Sequence, residues 1–194
     1  MLSGQLIIEN LACVRGGRLL FKDLAYTLYP GDAVLVRGPN GSGKSSLLRM
    51  IAGLLKPYVG TINSIGKIAL ADELHSLDPR LSLRRALEYW AKIDTRNAQD
   101  VSDAMAAVEI VQLGAVPVHM LSTGQKKRAT LARVIAGDAD IWLLDEPGNG
   151  LDQASSMLLD RAIAAHRARG GIIVAASHQP LGIDGAKAIM IGER

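Results

Sequence analysis

Aromatic residues, cysteines and an excess of charge of either sign are all scarce in this chain of 194 residues. Phe, Trp and Tyr make up 4% of it, too few to supply the stacking platforms that hold single-stranded nucleic acid. The formal net charge is +3, and the basic residues are scattered apart from Lys126, Lys127 and Arg128. This distribution is no electrostatic footprint for DNA or RNA. The composition therefore predicts no nucleic-acid partner.

The single cysteine, Cys13, excludes an internal disulfide and fits a reducing compartment. Because Cys13 lies in an alternating strand pattern, we interpret it as a packed core thiol. The N-terminus lacks the basic and apolar regions of a signal peptide, and no run of about 18 apolar residues is present to span a bilayer. If the chain serves transport, we expect the membrane path to belong to another chain.

The chain does contain the alternating helices and strands of an α/β domain. The pattern predicts strands over 6–14, 19–29, 33–37, 67–70, 141–144 and 172–176. It predicts one helix from 44 to about 55, a second that starts after 121 and ends at 135, and a third over 155–167. The short, fully apolar strands indicate a parallel sheet covered on both faces. We expect one domain over residues 1–194, with an antiparallel β subdomain first and an inserted helical subdomain at about 72–135.

A glycine-rich loop stands between the third predicted strand and the first predicted helix. It consists of Gly38, Pro39, Asn40, Gly41, Ser42, Gly43, Lys44 and Ser45, followed by Ser46, and it matches the P-loop pattern. Glycines let backbone N–H groups surround phosphate oxygens, and the helix start adds a favourable dipole. We expect Lys44 to reach the β- and γ-phosphates of a nucleotide and Ser45 to ligate Mg²⁺. The alternative is a glycine-rich turn that only caps a helix.

A pair of carboxylates follows the apolar run that begins at Ile141. Ligands of open α/β sheets bind beyond the carboxyl ends of the strands, where Asp145 and Glu146 are expected. Asp145 is the candidate partner of Mg²⁺, bound directly or through water, and Glu146 is the candidate residue that polarises the attacking water. A helix-capping pair is the alternative for two such residues on their own. Together with the P-loop, they indicate nucleotide hydrolysis.

Three further motifs distinguish among classes of P-loop protein. They are Leu121-Ser122-Thr123-Gly124-Gln125, Asn149-Gly150-Leu151-Asp152, and Ser177-His178 at the end of the strand 172–176. In these motifs and their order the chain resembles the ABC ATPase family, whose LSGGQ signature is present here as LSTGQ. The resemblance implies a P-loop NTPase fold of the ABC ATPase type. It also implies an ATPase in which two chains hold two ATP molecules between them, head to tail.

The resemblance assigns roles to these motifs. Ser122, Gly124 and Gln125 would contact the γ-phosphate of ATP bound to the partner chain, since a helix start is a favourable anion site. Asp152 would lie in the D-loop, and His178 would contact the γ-phosphate from its own chain. A polar cap at a strand end is the alternative for His178. For the basic run 126–128, a solvated helix face and a phosphate role both remain open.

Two parts of the family pattern are missing. The stretch 13–18, where the family places an aromatic residue to stack on adenine, contains none. Arg15 offers a guanidinium plane there, although an exposed turn arginine is the alternative. We therefore expect weak base selectivity, with GTP competing against ATP. The Q-loop glutamine is expected within 71–77, where Leu74 takes its position and Glu73 or His75 is the candidate substitute.

Several longer stretches narrow the resemblance. GPNGSGKSSLLRMIAGLL, LSTGQKKRATLAR, IWLLDEP and AASHQPL are similar to the ATP-binding subunits of haem exporters in cytochrome c biogenesis. The resemblance implies a peripheral subunit on the cytoplasmic face of a bacterial inner membrane, paired with a permease and with haem-handling maturation proteins. No Cys-x-x-Cys-His is present, so we expect energy coupling without direct haem binding. The alternatives are an ABC motor for another solute, or a soluble ABC ATPase acting on nucleic acid or ribosomes.

Overall fold

A computed structural model describes residues 2–72, 76–178 and 181–192 of the chain. Within these residues the strands are β1 (Gln5–Arg15), β2 (Arg18–Leu28), β3 (Ala33–Arg37), β4 (Val59–Ile65), β5 (Ile68–Ala71), β6 (Ile141–Asp145), β7 (Ile172–Ala176) and β8 (Lys187–Met190). The helices are α1 (Lys44–Ile51), α2 (Leu83–Ile93), α3 (Ala98–Ala107), α4 (Thr123–Gly137) and α5 (Gln153–Ala168). Two short 3₁₀ helices, Val111–Leu113 and Val118–Met120, precede α4.

The strands form two sheets. Five of them make a sheet of order β5-β6-β7-β3-β8, in which every neighbouring pair is parallel. The other three make an antiparallel sheet of order β2-β1-β4. The predicted fold class is confirmed in both its parallel core and its N-terminal antiparallel sheet. The carboxyl ends of β3, β6 and β7 therefore meet at one edge of the parallel sheet, where ligands of such sheets bind.

Two hydrophobic cores lie on opposite faces of the parallel sheet. Along β6, Ile141 and Leu143 point into the core shared with β1, β2 and α1, while Trp142 and Leu144 point into the core shared with α2–α5. This division follows from the alternation of side chains along a strand. Cys13 is fully buried in the first core, as expected of a packed thiol. Burial on both faces fixes the strand that delivers Asp145 and Glu146.

Helices α2, α3 and α4 pack against one another in the region expected to be an inserted helical subdomain. Their shared core includes Leu87 of α2 and Met105 of α3, both fully buried. Helix α4 also contacts the sheet, because Arg133 donates a hydrogen bond to the carbonyl of Leu70 and lies 5.1 Å from the ring centroid of Trp90. Among the described residues, no helix is long and apolar enough to cross a membrane.

The predicted end of α1 near residue 55 is wrong, since the helix ends at Ile51. Gly53 adopts a left-handed conformation with φ 73°, and its amide donates to the carbonyl of Met50 at 3.0 Å. The amide of Leu54 closes the helix end on the carbonyl of Arg49 at 2.8 Å. The helical spacing of Leu54 misled the prediction, because this side chain is 69% exposed.

Two edge strands, β4 and β8, lie outside the predicted set. Five of the seven residues of β4 and three of the four residues of β8 are exposed. Their backbones pair with β1 and β3 without a continuous apolar run. Hydrophobic periodicity is the main strand signal in a sequence, and strands that bury few side chains carry little of it.

Candidate active site

The loop between β3 and α1 needs glycine at two positions because of close packing. A Cβ on Gly38 would lie 2.3 Å from the carbonyl oxygen of Ile191, which follows β8. A Cβ on Gly43 would lie 3.1 Å from the ring of Phe21. Both glycines have positive φ, 153° and 105°, which side chains disfavour. The two sheets thus hold the loop from both sides.

A cavity of about 410 Å³ opens over this loop. It brings together four segments: the hairpin of β1 and β2, the loop with the start of α1, and the ends of β6 and β7. The lining residues are Arg15, Leu20, Asn40, Gly41, Gly43, Lys44, Ser45, Ser46, Asp145, Glu146 and His178. Helix α1 begins here, so the unpaired N–H groups of its first turn are available to an anion.

The ammonium of Lys44 is buried at this cavity, with 8% of the residue exposed. Its Nζ lies 2.9 Å from the carbonyl oxygen of Gly38, 3.2 Å from that of Pro39 and 2.9 Å from Nε2 of His178. An ammonium has three N–H donors and no acceptor, so the histidine ring accepts through Nε2. All three donors of Lys44 therefore have partners within the chain.

Glu146 follows β6 in a left-handed conformation with φ 47°. Its amide donates to the carbonyl of Ala176 on β7 at 2.8 Å. Its Oε2 accepts from the amide of His178 at 3.3 Å, and its Oε1 lies 3.6 Å from Nε2 of the same residue. Within the described part of the chain, Oε1 is buried without a hydrogen-bond partner. A buried acceptor of this kind is available to a water molecule or a ligand.

Ser45 and Asp145 are the oxygen donors of the cavity that fit a divalent cation. Mg²⁺ is held in nucleotide sites by one or two protein oxygens together with phosphate and water, so a hydroxyl and a carboxylate suffice. Residues 2–72, 76–178 and 181–192 contain no cluster of three His, Cys, Asp or Glu side chains that would form a cage for a metal. The donor set therefore fits Mg²⁺ bound together with a nucleotide.

Ser46 lies beneath the loop and connects it to the core. Its side chain forms a hydrogen bond with the thiol of Cys13. Burial raises the pKa of the Cys13 thiol, although the hydrogen bond with Ser46 acts in the opposite direction. The thiol is therefore neutral and serves as a packing group.

The LSTGQ motif starts α4 with a reciprocal cap. The amide of Gln125 donates to Oγ of Ser122 at 3.3 Å, and the amide of Ser122 donates to Oε1 of Gln125 at 2.9 Å. At Gly124 a Cβ would meet open space. None of Ser122, Gly124 and Gln125 lines the phosphate-loop cavity. Within one chain, the structure does not bring this motif to the loop.

Asp152 caps the start of α5, beyond the carboxylate pair at the end of β6. Its Oδ1 accepts from the amide of Ser155 at 2.8 Å. The hydrogen bond with Ser155 holds the pKa of the Asp152 carboxyl below its usual value. Asp152 is exposed and does not line the phosphate-loop cavity.

Arg15 and Leu20 form the wall of the cavity on the antiparallel sheet. Among the described residues that line the cavity, none is Phe, Tyr or Trp. Arg15 is exposed, and its side chain has no hydrogen bond or ion pair with another described residue. Its guanidinium plane is thus available to a flat ligand.

Comparison with known proteins assigns these features to a family. Residues 21–149 match the family model described as ABC transporter. The chain is 51% identical over 187 residues to the cytochrome c biogenesis ATP-binding export protein CcmA of Sphingopyxis alaskensis, covering 96% of each chain. The chain belongs to the ABC transporter family. Within this family it is similar to the cytochrome c biogenesis ATP-binding export proteins. The predicted ABC ATPase is therefore confirmed.

Further comparisons agree with this membership. The protein of the same description from Novosphingobium aromaticivorans is 47% identical over 186 residues, covering 96% of this chain and 95% of that one. A solved structure of an ATP-binding subunit of an ABC transporter superimposes with a TM-score of 0.87 at 19% identity, covering 96% of this chain and 85% of that one. That likeness supports the fold alone. As an ABC transporter ATP-binding subunit, the chain is an ATPase that works with a membrane permease and as a dimer.

One contact of the ABC ATPase site was not predicted from the sequence. Nζ of Lys127 lies 2.9 Å from the carbonyl oxygen of Glu146. The neighbouring Arg128 donates to the carbonyls of Val108 and Glu109 at 3.5 and 3.3 Å. Two of the three residues of the basic run are therefore bound to carbonyl oxygens of this chain. The sequence holds no signal for these contacts, since they depend on the rotation of α4.

The expected Q-loop position lies outside the described residues. The predicted position of the missing glutamine is Leu74, with Glu73 or His75 as the substitute, and the structure describes 72 and 76 but none of these three. The choice between them therefore stays a prediction.

Proposed function

We propose that this subunit binds ATP with Mg²⁺ between its own phosphate loop and the LSTGQ motif of a second copy, head to tail. Hydrolysis there would energise a membrane permease in cytochrome c biogenesis. The observation that carries the proposal is the convergence of Lys44, Ser45, Asp145, Glu146 and His178 on one cavity. The remaining loop residues, Gly38, Pro39, Asn40, Gly41, Ser42, Gly43 and Ser46, would surround the phosphates with backbone N–H groups.

Lys44 and the metal ligands would act on the phosphates. Lys44 would exchange its contacts with carbonyl oxygens for contacts with the β- and γ-phosphates. Ser45 and Asp145 would hold Mg²⁺, which when bound neutralises charge on the transferred phosphate. The two side chains face the same cavity from α1 and the end of β6, which supports this assignment.

Glu146 and His178 would act on the attacking water. The buried, unpartnered Oε1 of Glu146 is the acceptor that would take a hydrogen bond from the water and polarise it. His178 lies against both Glu146 and Lys44, which supports a position for it beside the γ-phosphate. We assign to His178 the role of a γ-phosphate contact that holds the carboxylate in place.

The partner chain would complete the site. The start of α4 at Ser122, Gly124 and Gln125 is an anion-binding position away from the cavity of its own chain. Asp152 at the start of α5 also lies away from that cavity, and we assign it to the face that meets the partner chain. A second copy placed head to tail would bring these groups to the γ-phosphate, which accounts for a phosphate-binding motif without a phosphate loop beside it.

The names of the relatives support the cellular role. Two relatives that match most of this chain, from Sphingopyxis alaskensis and Novosphingobium aromaticivorans, are named cytochrome c biogenesis ATP-binding export proteins. We infer a subunit on the cytoplasmic face of a bacterial inner membrane, with haem-handling maturation proteins as further partners. Deleting the gene and measuring covalently bound haem in periplasmic cytochromes tests this role. Normal c-type cytochromes in the deletion strain would contradict the role in biogenesis and leave the ATPase assignment intact.

Replacing the proposed base tests the site directly. Glu146→Gln is expected to bind ATP normally, to accumulate as an ATP-bound dimer and to lose roughly 100-fold or more in turnover, because general bases contribute about 10²–10⁴-fold. Light scattering with ATP and phosphate release measure the two effects. Glu88→Gln on α2 is the matched control and should behave like the native chain. Normal hydrolysis by Glu146→Gln would remove Glu146 as the base.

A further inference from the structure

The side chain of Lys127 crosses from α4 to the backbone of the proposed base. Its Nζ lies 2.9 Å from the carbonyl oxygen of Glu146, in a partly buried contact between residues 19 apart in sequence. Lys127, Asp145 and Glu146 together line a second cavity of about 310 Å³. The lysine therefore connects α4 to the backbone of Glu146.

The Glu146 residue needs such support because its backbone conformation is strained. Its φ of 47° is unusual for a residue with a side chain and persists only where surrounding contacts hold it. On one side its amide is bound to the carbonyl of Ala176. On the other side its carbonyl accepts from Lys127 and, at 3.3 Å, from the amide of Asn149 in the following turn. Lys127 is the only charged donor among these hydrogen bonds, and a hydrogen bond with a charged donor is stronger than one between neutral groups.

Lys127 also connects Glu146 to the helix that carries the LSTGQ motif. Successive residues of a helix point about 100° apart. Lys127 is thus directed to the carboxylate edge of the sheet, while Arg128 is directed to the carbonyls of Val108 and Glu109 at the end of α3. The cap of the same helix is Ser122, which precedes Lys127 by about one and a half turns. A displacement of α4 therefore acts on the peptide unit of Glu146.

We propose that Lys127 is a positioning residue, which holds the backbone of Glu146 so that its carboxylate meets the attacking water only when α4 is correctly placed. This inference rests on the proposed role of Glu146 as the base. Lys127 contacts no nucleotide in this assignment, because it does not line the phosphate-loop cavity. It acts on turnover and leaves nucleotide binding unchanged.

Three variants separate this role from a general structural one. Lys127→Met removes the donor and keeps the length of the side chain, Lys127→Arg keeps a donor, and Lys126→Met is the matched control. Lys126 is the adjacent lysine and has no side-chain hydrogen bond or ion pair with another described residue. Lys127→Met should lower kcat roughly 10- to 100-fold with KM for ATP changed less than about twofold. Lys127→Arg should recover most of the activity, and Lys126→Met should match the native chain.

A double-variant cycle isolates the contact with Glu146. In the Glu146→Gln background, Lys127→Met should not reduce the residual turnover further, because the group that it positions no longer acts. An equal reduction in both backgrounds would overturn the proposal. So would an unchanged kcat, a loss of affinity for ATP alone, or failure of both Lys127→Met and Lys127→Gln to fold. Normal turnover by Glu146→Gln alone would instead contradict the proposed base, whatever Lys127→Met does.

Discussion

Within the described part of the chain, the antiparallel sheet contributes two side chains to the phosphate-loop cavity, those of Arg15 and Leu20. A guanidinium plane stacks on any flat base, and a leucine packs against it without reading its edge. Discrimination between bases requires hydrogen bonds to their edges, because an unpaired polar group is what penalises the wrong ligand. Leu20 offers no hydrogen bond to a base edge, and an Arg15 guanidinium stacked on the face of a base directs its N–H groups away from that edge.

Base selectivity is therefore expected to be weak and to depend on Arg15. GTP should compete with ATP within about threefold, and Arg15→Ala should weaken the binding of both nucleotides by roughly 3- to 10-fold, the loss of one cation–π contact. Competition against a fluorescent ATP analogue measures both effects. Arg18→Ala is the matched control, since Arg18 is exposed on the same turn but does not line the cavity. Strong rejection of GTP would show that another group reads the base.

At the scale of elements, the contact between α5 and β6 depends on a stacked pair of rings. The imidazole of His166 lies parallel to the indole of Trp142, with 4.0 Å between centroids and 12° between planes. His166 is 1% exposed. Burial, with a smaller contribution from the charge of Arg169, lowers the pKa of His166 from 6.5 to about 4. The folded chain thus keeps this ring neutral where the unfolded chain would protonate it.

This pKa shift predicts a loss of stability in acid. Above pH 6.5 both states hold a neutral ring, so His166 has no effect there. Between pH 6.5 and about 4 only the unfolded chain binds the proton, and the free energy of unfolding should fall by about 1.4 kcal/mol per pH unit. Urea unfolding at several pH values in this range measures the free energy of unfolding. This free energy should fall less steeply with falling pH for His166→Gln than for the native chain.

The same shift can be checked without a substitution. In NMR, the ring protons of His166 should titrate with a midpoint near 4. A midpoint near 6.5, or an identical slope in native chain and His166→Gln, would show that burial of this ring does not resist protonation.

Elements differ in how far the sequence predicts them, and the difference follows burial. The predicted strand 172–176 matches β7, in which all five residues are buried and apolar. The exposed strands β4 and β8 leave no such pattern. The helix start at Lys44 is predictable because the loop before it has a fixed chemistry, whereas its end depends on the conformation of Gly53. The sequence pattern therefore predicts elements whose side chains are buried. It does not predict a helix end that is set by the backbone conformation of one glycine.

The residues of the candidate site also differ in how far the sequence predicts them. Candidate residues with a proposed chemical role, such as Lys44 and Glu146, can be selected from the sequence because motif and spacing single them out, and both line the same cavity. Lys127 is not, because its partner is a backbone carbonyl, which any residue supplies equally. Such a contact depends on the orientation of one helix relative to the sheet. It leaves no signature in the types of residue involved.

At the scale of the whole molecule, the phosphate loop and the LSTGQ motif are separate within one chain, which is why we propose that two chains form the complete ATP site. This predicts that Ser122→Arg abolishes the ATP-bound dimer of Glu146→Gln while each chain still binds one nucleotide. Size-exclusion chromatography with ATP and a binding titration measure the two quantities. The reason is steric and electrostatic, since Ser122 is exposed where the partner's γ-phosphate would lie.

Two further variants control for damage to α4. Losing the cap costs about 1 kcal/mol, so Ser122→Asp, which keeps a capping oxygen but repels phosphate, should also prevent the dimer without unfolding the helix. Ser64→Arg, on the exposed strand β4, should leave the dimer intact. A normal ATP-bound dimer of Ser122→Asp and Ser122→Arg would contradict the two-chain site.

The Lys44 ammonium has three partners in its own chain, and they bear on product release from the proposed site. The carbonyls of Gly38 and Pro39 and the ring of His178 satisfy all its donors. In the proposed site ATP would replace these contacts, so the lysine would add less to affinity than an unpaired buried charge. After hydrolysis the ammonium can form hydrogen bonds with the same two carbonyls and the histidine ring again. We therefore expect ADP to dissociate without leaving the buried ammonium unpaired.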